Sequence, residues 1–213
     1  MRAVVVTGGM GSGKSTFCRV MRAGDAGGTG GTGGTGSATA HIDADRIVRG
    51  LLRHHRPLQE QIASEFGADL LVPGKGVDRQ ALAARVFGDR GRLKRLEALV
   101  HPIVRARMAR KVASLKRKGA VAIVLAEIPL LAEGGVPEWC DFVVTVEADP
   151  GTRLARLLGR GVSPEDARRR IRRQATDEQR RRLADLVVRN DGDLEDLREA
   201  AARVRRLVRR ARR

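Results

Sequence analysis

Residues 3–16 read Ala3-Val4-Val5-Val6-Thr7-Gly8-Gly9-Met10-Gly11-Ser12-Gly13-Lys14-Ser15-Thr16, and this stretch decides the fold. A short apolar run of strand character passes straight into G-x-x-x-x-G-K-[ST], the spacing of a phosphate-binding loop. Gly8 and Gly13 permit backbone angles that a Cβ would forbid, so the consecutive N–H groups across Gly9, Met10, Gly11 and Ser12 can turn toward phosphate oxygens. Lys14 supplies a mobile cation for the β- and γ-phosphates, and the Ser15 hydroxyl is a ligand for Mg²⁺. From Ser15 to Arg22 there is neither Gly nor Pro, so a helix can begin at once with its positive end facing the anion. Strand, loop and helix in this order imply a nucleoside triphosphate as ligand.

Working outward, 213 residues suit one α/β domain with a modest insertion. Cys18 and Cys140 fit neither a metal-ligand spacing nor a disulfide framework and read as reduced, partly buried thiols. The apolar run before the glycines is too short for a signal segment, and no stretch is long enough to span a membrane. The expectation is a soluble cytoplasmic protein. The net charge of +17 invites a nucleic-acid reading. The excess is mostly arginine late in the chain, at near-helical spacing among Ala, Leu and Val, as in Arg203-Val204-Arg205-Arg206-Leu207-Val208-Arg209-Arg210. Aromatic residues are only 2%, which leaves little to stack on exposed bases. Specific nucleic-acid binding is therefore not expected, although polyanionic substrates will be attracted. Oligomeric state has no signature in the sequence.

After the first helix, residues 24–37 are a Gly/Thr run with too little side chain to pack, expected as a floppy surface loop. A short stretch then ends in His41-Ile42-Asp43-Ala44-Asp45. Two carboxylates there offer a proton acceptor and a Mg²⁺ ligand for phosphoryl transfer to an alcohol. Equally, the pair reads as a helix N-cap or a solvated turn, with Asp45 preceding the helical run Arg46 to Arg53. Apolar residues recur at helical spacing from Ile47 to about residue 118, broken at Gly67, Pro73-Gly74 and Gly88, which predicts a helical lobe over 46–118. Pro102 is expected in the first turn of a new helix, with His101 beside its N-cap. Further strands are predicted at 121–126, 142–146 and 186–188. Glu127 stands at a strand's carboxyl end, where α/β ligands bind. Between the last two strands, Ser163 as N-cap and Pro164 at the first helical position start a second helix after Gly159 and Gly161. This predicts a hinged lid over 153–183, with Arg156 and Arg160 neutralising phosphate charge. The core is then 1–45, 119–152 and 184–213, a doubly wound parallel sheet.

The ordered set T-G-G-x-G-S-G-K-S-T, I-D-A-D, H-P, I-P-L-L-x-E, R-x-x-x-R, Gln174 and A-D-x-V-V-x-N-x-G resembles dephospho-coenzyme A kinase over nearly the whole chain. Other small-molecule kinases share the loop without the rest. The resemblance implies a P-loop NTPase-type three-layer α/β/α fold with a helical acceptor-binding lobe and a lid. It implies ATP and dephospho-CoA as substrates and Mg²⁺ as cofactor, with the γ-phosphate going to a ribose 3′-hydroxyl. It makes Asp45 the general base, with Asp43 supporting it or the metal. Lys14, Ser15 and the loop amides would bind ATP, and Arg156 and Arg160 would contact phosphates. Asn190 would lie near the adenine, and His101 and Glu127 would fall on the acceptor side. Glu127 stands where the family commonly has aspartate, and Ala132 where it has a bulky apolar residue. The alternatives are a kinase for another small hydroxyl acceptor and a nucleotide-dependent nucleic-acid-binding protein.

Overall fold

A computed structural model describes residues 1–23, 38–119 and 121–210, so the Gly/Thr run lies outside the described residues. In chain order the elements are β1 (Arg2–Thr7), α1 (Lys14–Ala23), β2 (Thr39–Asp43), α2 (Ala44–His54), α3 (Arg56–Phe66), β3 (Leu71–Val72), β4 (Gly76–Val77), α4 (Arg79–Val86), α5 (Arg90–Lys118), β5 (Ile123–Glu127), α6 (Leu131–Gly134), β6 (Phe142–Glu147), α7 (Pro150–Leu158), α8 (Pro164–Arg173), α9 (Asp177–Arg181), β7 (Leu186–Arg189) and α10 (Leu194–Arg210). They divide into two compact units, Met1–Ile42 with Val112–Arg213, and Asp43–Lys111. Among the described residues no helix is long and apolar enough to cross a membrane.

The first unit is built on a five-stranded sheet in the order β2-β5-β1-β6-β7. β1 pairs in parallel with β5 (Val4 with Leu125) and with β6 (Val4 with Phe142), and β6 pairs in parallel with β7. A central parallel strand is covered on both faces, which is why Ala3 to Val6 are continuously apolar and fully buried. Side chains alternate across the sheet. Val4, Val6, Leu125, Val144 and Val146 meet Phe17, Cys18 and Met21 of α1 and the stripe Leu197, Ala201, Val204 and Val208 of α10. The arginine-rich C-terminal helix is thus amphipathic, with one apolar face closing the core. Arg205 also donates from NH1 to the carbonyls of Val20 (3.4 Å) and Met21 (3.0 Å) at the end of α1, where a cation meets the negative end of a helix. In this order β2 and β5 lie on one side of β1, and β6 and β7 on the other, and the crevice at such a switch point is where ligands bind.

In the second unit, Leu51, Leu52, Leu58, Ile62, Phe66, Leu82 and Val86 are buried, following the predicted periodicity, and Leu70 is buried with them. Asp78 caps α4, and Arg85 forks onto Asp69 (2.9 and 2.7 Å) while also donating to the Phe66 carbonyl (2.6 Å). Three details differ from expectation. The break at Pro73-Gly74 carries a small antiparallel hairpin, β3 with β4, too short for a period-two pattern to register. Pro102 sits inside the 29-residue α5 instead of starting a helix. A helix-interior proline costs about 3 kcal/mol, and α5 offsets it by burying Val100, Val104, Met108 and Val112 on one stripe. Asp45 is not an N-cap. The cap of α2 is Asp43, whose carboxylate accepts from the Arg46 amide (3.1 Å), because the helix starts at Ala44, earlier than the apolar pattern suggests.

Candidate active site

The turn from β1 into α1 carries Gly8, Gly11 and Gly13 at φ of 144°, 79° and 94°, the left-handed region that favours glycine. At Gly13 a Cβ would also strike the Asn190 side-chain amide. The loop closes on itself through Ser12 N–H to the Gly9 carbonyl (3.2 Å), and α1 starts with Phe17 N–H to the Gly13 carbonyl (2.9 Å). The first-turn amides of α1 then lack helical acceptors of their own and face outward as an anion site. Lys14 Nζ folds back onto the Gly9 carbonyl (3.1 Å), across the mouth of the loop.

Ser15 Oγ donates to Glu127 Oε1 (2.6 Å). Glu127 ends β5 and is 5% exposed. Burial alone would push its carboxyl up; the His41 imidazole, the Ser15 hydroxyl and the Lys14 charge together outweigh burial and hold it below its ordinary value. His41 Nε2 lies 3.3 Å from Glu127 Oε2, close enough for an ion pair but not aligned as a hydrogen bond. A hydroxyl that donates to a carboxylate keeps its lone pairs for a cation. The donor set at Ser15 therefore fits a hard ion such as Mg²⁺.

The segment after β6 grips the loop from the far side. Arg153 of α7 donates from Nε to the Met10 carbonyl (2.9 Å) and pairs with Asp177 (3.5 Å), while Met10 N–H donates to Gln174 Oε1 (2.7 Å). The Arg153 guanidinium occupies the space a Gly9 Cβ would need. Desolvation lowers its pKa from the usual arginine range, opposed by Asp177, and it remains a cation. Arg156 donates from NH2 to the Asn190 carbonyl (2.9 Å) and from NH1 toward the Gly11 and Ser12 carbonyls (3.4 and 3.5 Å). Asn190 Nδ2 donates to the Ser12 carbonyl (2.7 Å). Arg156, Arg160 and Asn190 line a cavity of about 420 Å³ together with Gly13, Thr16 and Leu194. As predicted, Ser163 caps α8, with Pro164 in its first turn. Beneath the site, Glu147 is fully buried and is held bidentately by Arg181 (2.9 and 2.7 Å).

The structure thus brings together the loop residues Gly8 to Thr16, Glu127, Arg156, Arg160 and Asn190. In the second unit, Asp43 closes β2, caps α2 and pairs with Arg49 (3.6 Å). Asp45 lies exposed in the first turn of α2, and His101 lies half-buried within α5. Arg153, His41 and Glu147 were not singled out from sequence, and Gln174 entered only through the resemblance. Arg153 stands three residues before Arg156, one helical turn away, and this spacing was the available signal.

The family model for dephospho-CoA kinase matches residues 2–196. The chain belongs to the dephospho-CoA kinase family. A dephospho-CoA kinase of Symbiobacterium thermophilum is 41% identical over 196 residues, which are 92% of this chain and 76% of that protein. Among solved structures, TT1252 from Thermus thermophilus superposes with a TM-score of 0.73 at 33% identity, covering 97% of each chain. Dephospho-CoA kinase from Campylobacter jejuni gives 0.60 at 25% identity with the same coverage. The three-layer P-loop kinase fold of the family is the fold described above.

Proposed function

We propose that this chain transfers the γ-phosphate of ATP to the ribose 3′-hydroxyl of dephospho-CoA, yielding ADP and coenzyme A. Family membership supports the reaction, and the observation that carries it into this molecule is the loop itself: glycines in left-handed geometry, Lys14 across its mouth, and Ser15 held by Glu127. The 3′-oxygen attacks the γ-phosphorus, the bond from phosphorus to the β,γ-bridging oxygen breaks, and the hydroxyl proton passes to the Asp45 carboxylate with Asp43 in support. Loop amides and Lys14 orient the triphosphate. Arg156 and Arg160, on a lid spanning 153–183, neutralise charge as the phosphoryl group moves. Asn190 borders the adenine, His101 on the 46–118 lobe faces the acceptor, and Glu127, its carboxylate taken up by Ser15 and His41, acts on the acceptor side through Ser15. Mg²⁺ supplies charge neutralisation on the β- and γ-phosphates when bound, and Ser15 Oγ and Asp43 would hold it. The net charge of +17 favours capture of two polyanionic substrates.

An acceptor panel tests the reading. With ATP and Mg²⁺, ADP release should require dephospho-CoA and stay near background with shikimate, gluconate, nucleosides or RNA. Faster turnover with another acceptor would replace dephospho-CoA in the proposal.

A further inference from the structure

Beside Glu127, Cys18 of α1, His41 of β2 and Glu127 of β5 bring a thiol sulfur, an imidazole nitrogen and a carboxylate oxygen within 4.8 Å of one another. All three belong to the first unit. Cys18 is fully buried and Glu127 nearly so, and His41 Nε2 is a buried nitrogen without a hydrogen-bond partner. The two Glu127 oxygens are divided between neighbours: Oε1 accepts from Ser15, and Oε2 faces His41.

We infer that Cys18 Sγ, His41 Nε2 and Glu127 Oε2 form a binding site for a thiophilic divalent cation of the Zn²⁺ class. The chemistry is that of such ions, which take thiolate, imidazole and carboxylate together, whereas Mg²⁺ and Ca²⁺ take oxygen alone. The geometry agrees. Metal–nitrogen and metal–oxygen bonds of about 2.0–2.1 Å at a tetrahedral angle put the two ligand atoms roughly 3.3 Å apart, and His41 Nε2 to Glu127 Oε2 is 3.3 Å. Sulfur at about 2.3 Å from the metal needs a ligand separation near 3.6 Å, within reach of a rotamer adjustment from the 4.8 Å bound. Three protein ligands leave the fourth position to water. Binding displaces the thiol proton to solvent. Because Oε1 stays on Ser15, the ion would sit one carboxylate away from the nucleotide loop and be distinct from Mg²⁺ on the phosphates.

The test uses Co²⁺ as a spectroscopic stand-in for Zn²⁺, added to the whole purified chain. The expected result is one Co²⁺ per chain, with a near-ultraviolet thiolate-to-cobalt charge-transfer band that Zn²⁺ abolishes and millimolar Mg²⁺ does not. The band should vanish in Cys18→Ala, and the apparent affinity should fall at least about tenfold in His41→Val, each variant checked for an unchanged circular-dichroism spectrum and ATP affinity. If Cys18→Ala misfolds, His41→Val alone decides. Absence of the band, its persistence in Cys18→Ala, or unaltered affinity in His41→Val would overturn the site.

Discussion

Arg153→Met removes the grip that the segment after β6 holds on the phosphate loop while keeping an aliphatic stem. The loss is the charged hydrogen bond from Nε to the Met10 carbonyl (2.9 Å) and the ion pair with Asp177 (3.5 Å). A hydrogen bond from a charged group contributes about 1.5–3 kcal/mol, and stranding its half-buried acceptor adds up to about 1 kcal/mol. Relief of the desolvation that lowers the Arg153 pKa returns part of this, leaving about 2–3 kcal/mol. Unfolding entropy of about 2.1 cal/mol/K per residue gives about 0.45 kcal/mol/K for a chain of this length, so Tm should drop by about 4–7 °C. Met10 would lose one of its two anchors, so ATP affinity should weaken about tenfold, equivalent to 1.4 kcal/mol of loop preorganisation. Arg153→Lys should recover little, because an ammonium cannot reproduce the guanidinium fork. Differential scanning fluorimetry and calorimetric ATP titration measure both quantities. A variant with Tm within about 1 °C and unchanged ATP affinity would refute the reasoning.

Three further outcomes are expected. Gly13→Ala should weaken ATP binding more than about tenfold in a titration, since the new methyl meets the Asn190 amide on a backbone at φ 94°. Asp45→Asn should lower turnover by about 10²–10⁴ with ATP affinity held; turnover near wild type would remove Asp45 as the base. Glu127→Gln addresses pH. The folded carboxyl titrates below its ordinary 4.5, so its stabilising share is present above that value and lost as pH falls through the folded one. The variant should be less stable than wild type at pH 7, and the two denaturation midpoints should converge once the pH falls below the titration of the folded Glu127 carboxyl.

The loop, the alternating strands and the Ser163-Pro164 helix start were legible because each rests on local chemistry: a spacing of glycines, a run of Val, a cap followed by proline. What stayed hidden was set by partners distant in sequence. Met10 meets Gln174 across 164 residues and Arg153 across 143, and no local pattern encodes such pairs. The same holds for the Cys18, His41 and Glu127 cluster, where cysteine spacing alone predicted only reduced, partly buried thiols. Pro102 inside α5 and Asp43 as the cap of α2 are boundary effects, in which burial of an apolar stripe and a carboxylate-to-amide bond outweigh local breaker signals. The arginines were legible as helix faces, and the stripe from Leu197 to Val208 explains the last of them as the outside of a core helix.

The most direct test of the account is product analysis by mass spectrometry for wild type and Lys14→Ala given ATP, Mg²⁺ and dephospho-CoA. The prediction is coenzyme A and ADP in equal amounts from wild type, with the new phosphate on the ribose 3′-oxygen, and neither product above background from Lys14→Ala. ADP formed without coenzyme A, or coenzyme A formed equally well by Lys14→Ala, would contradict it.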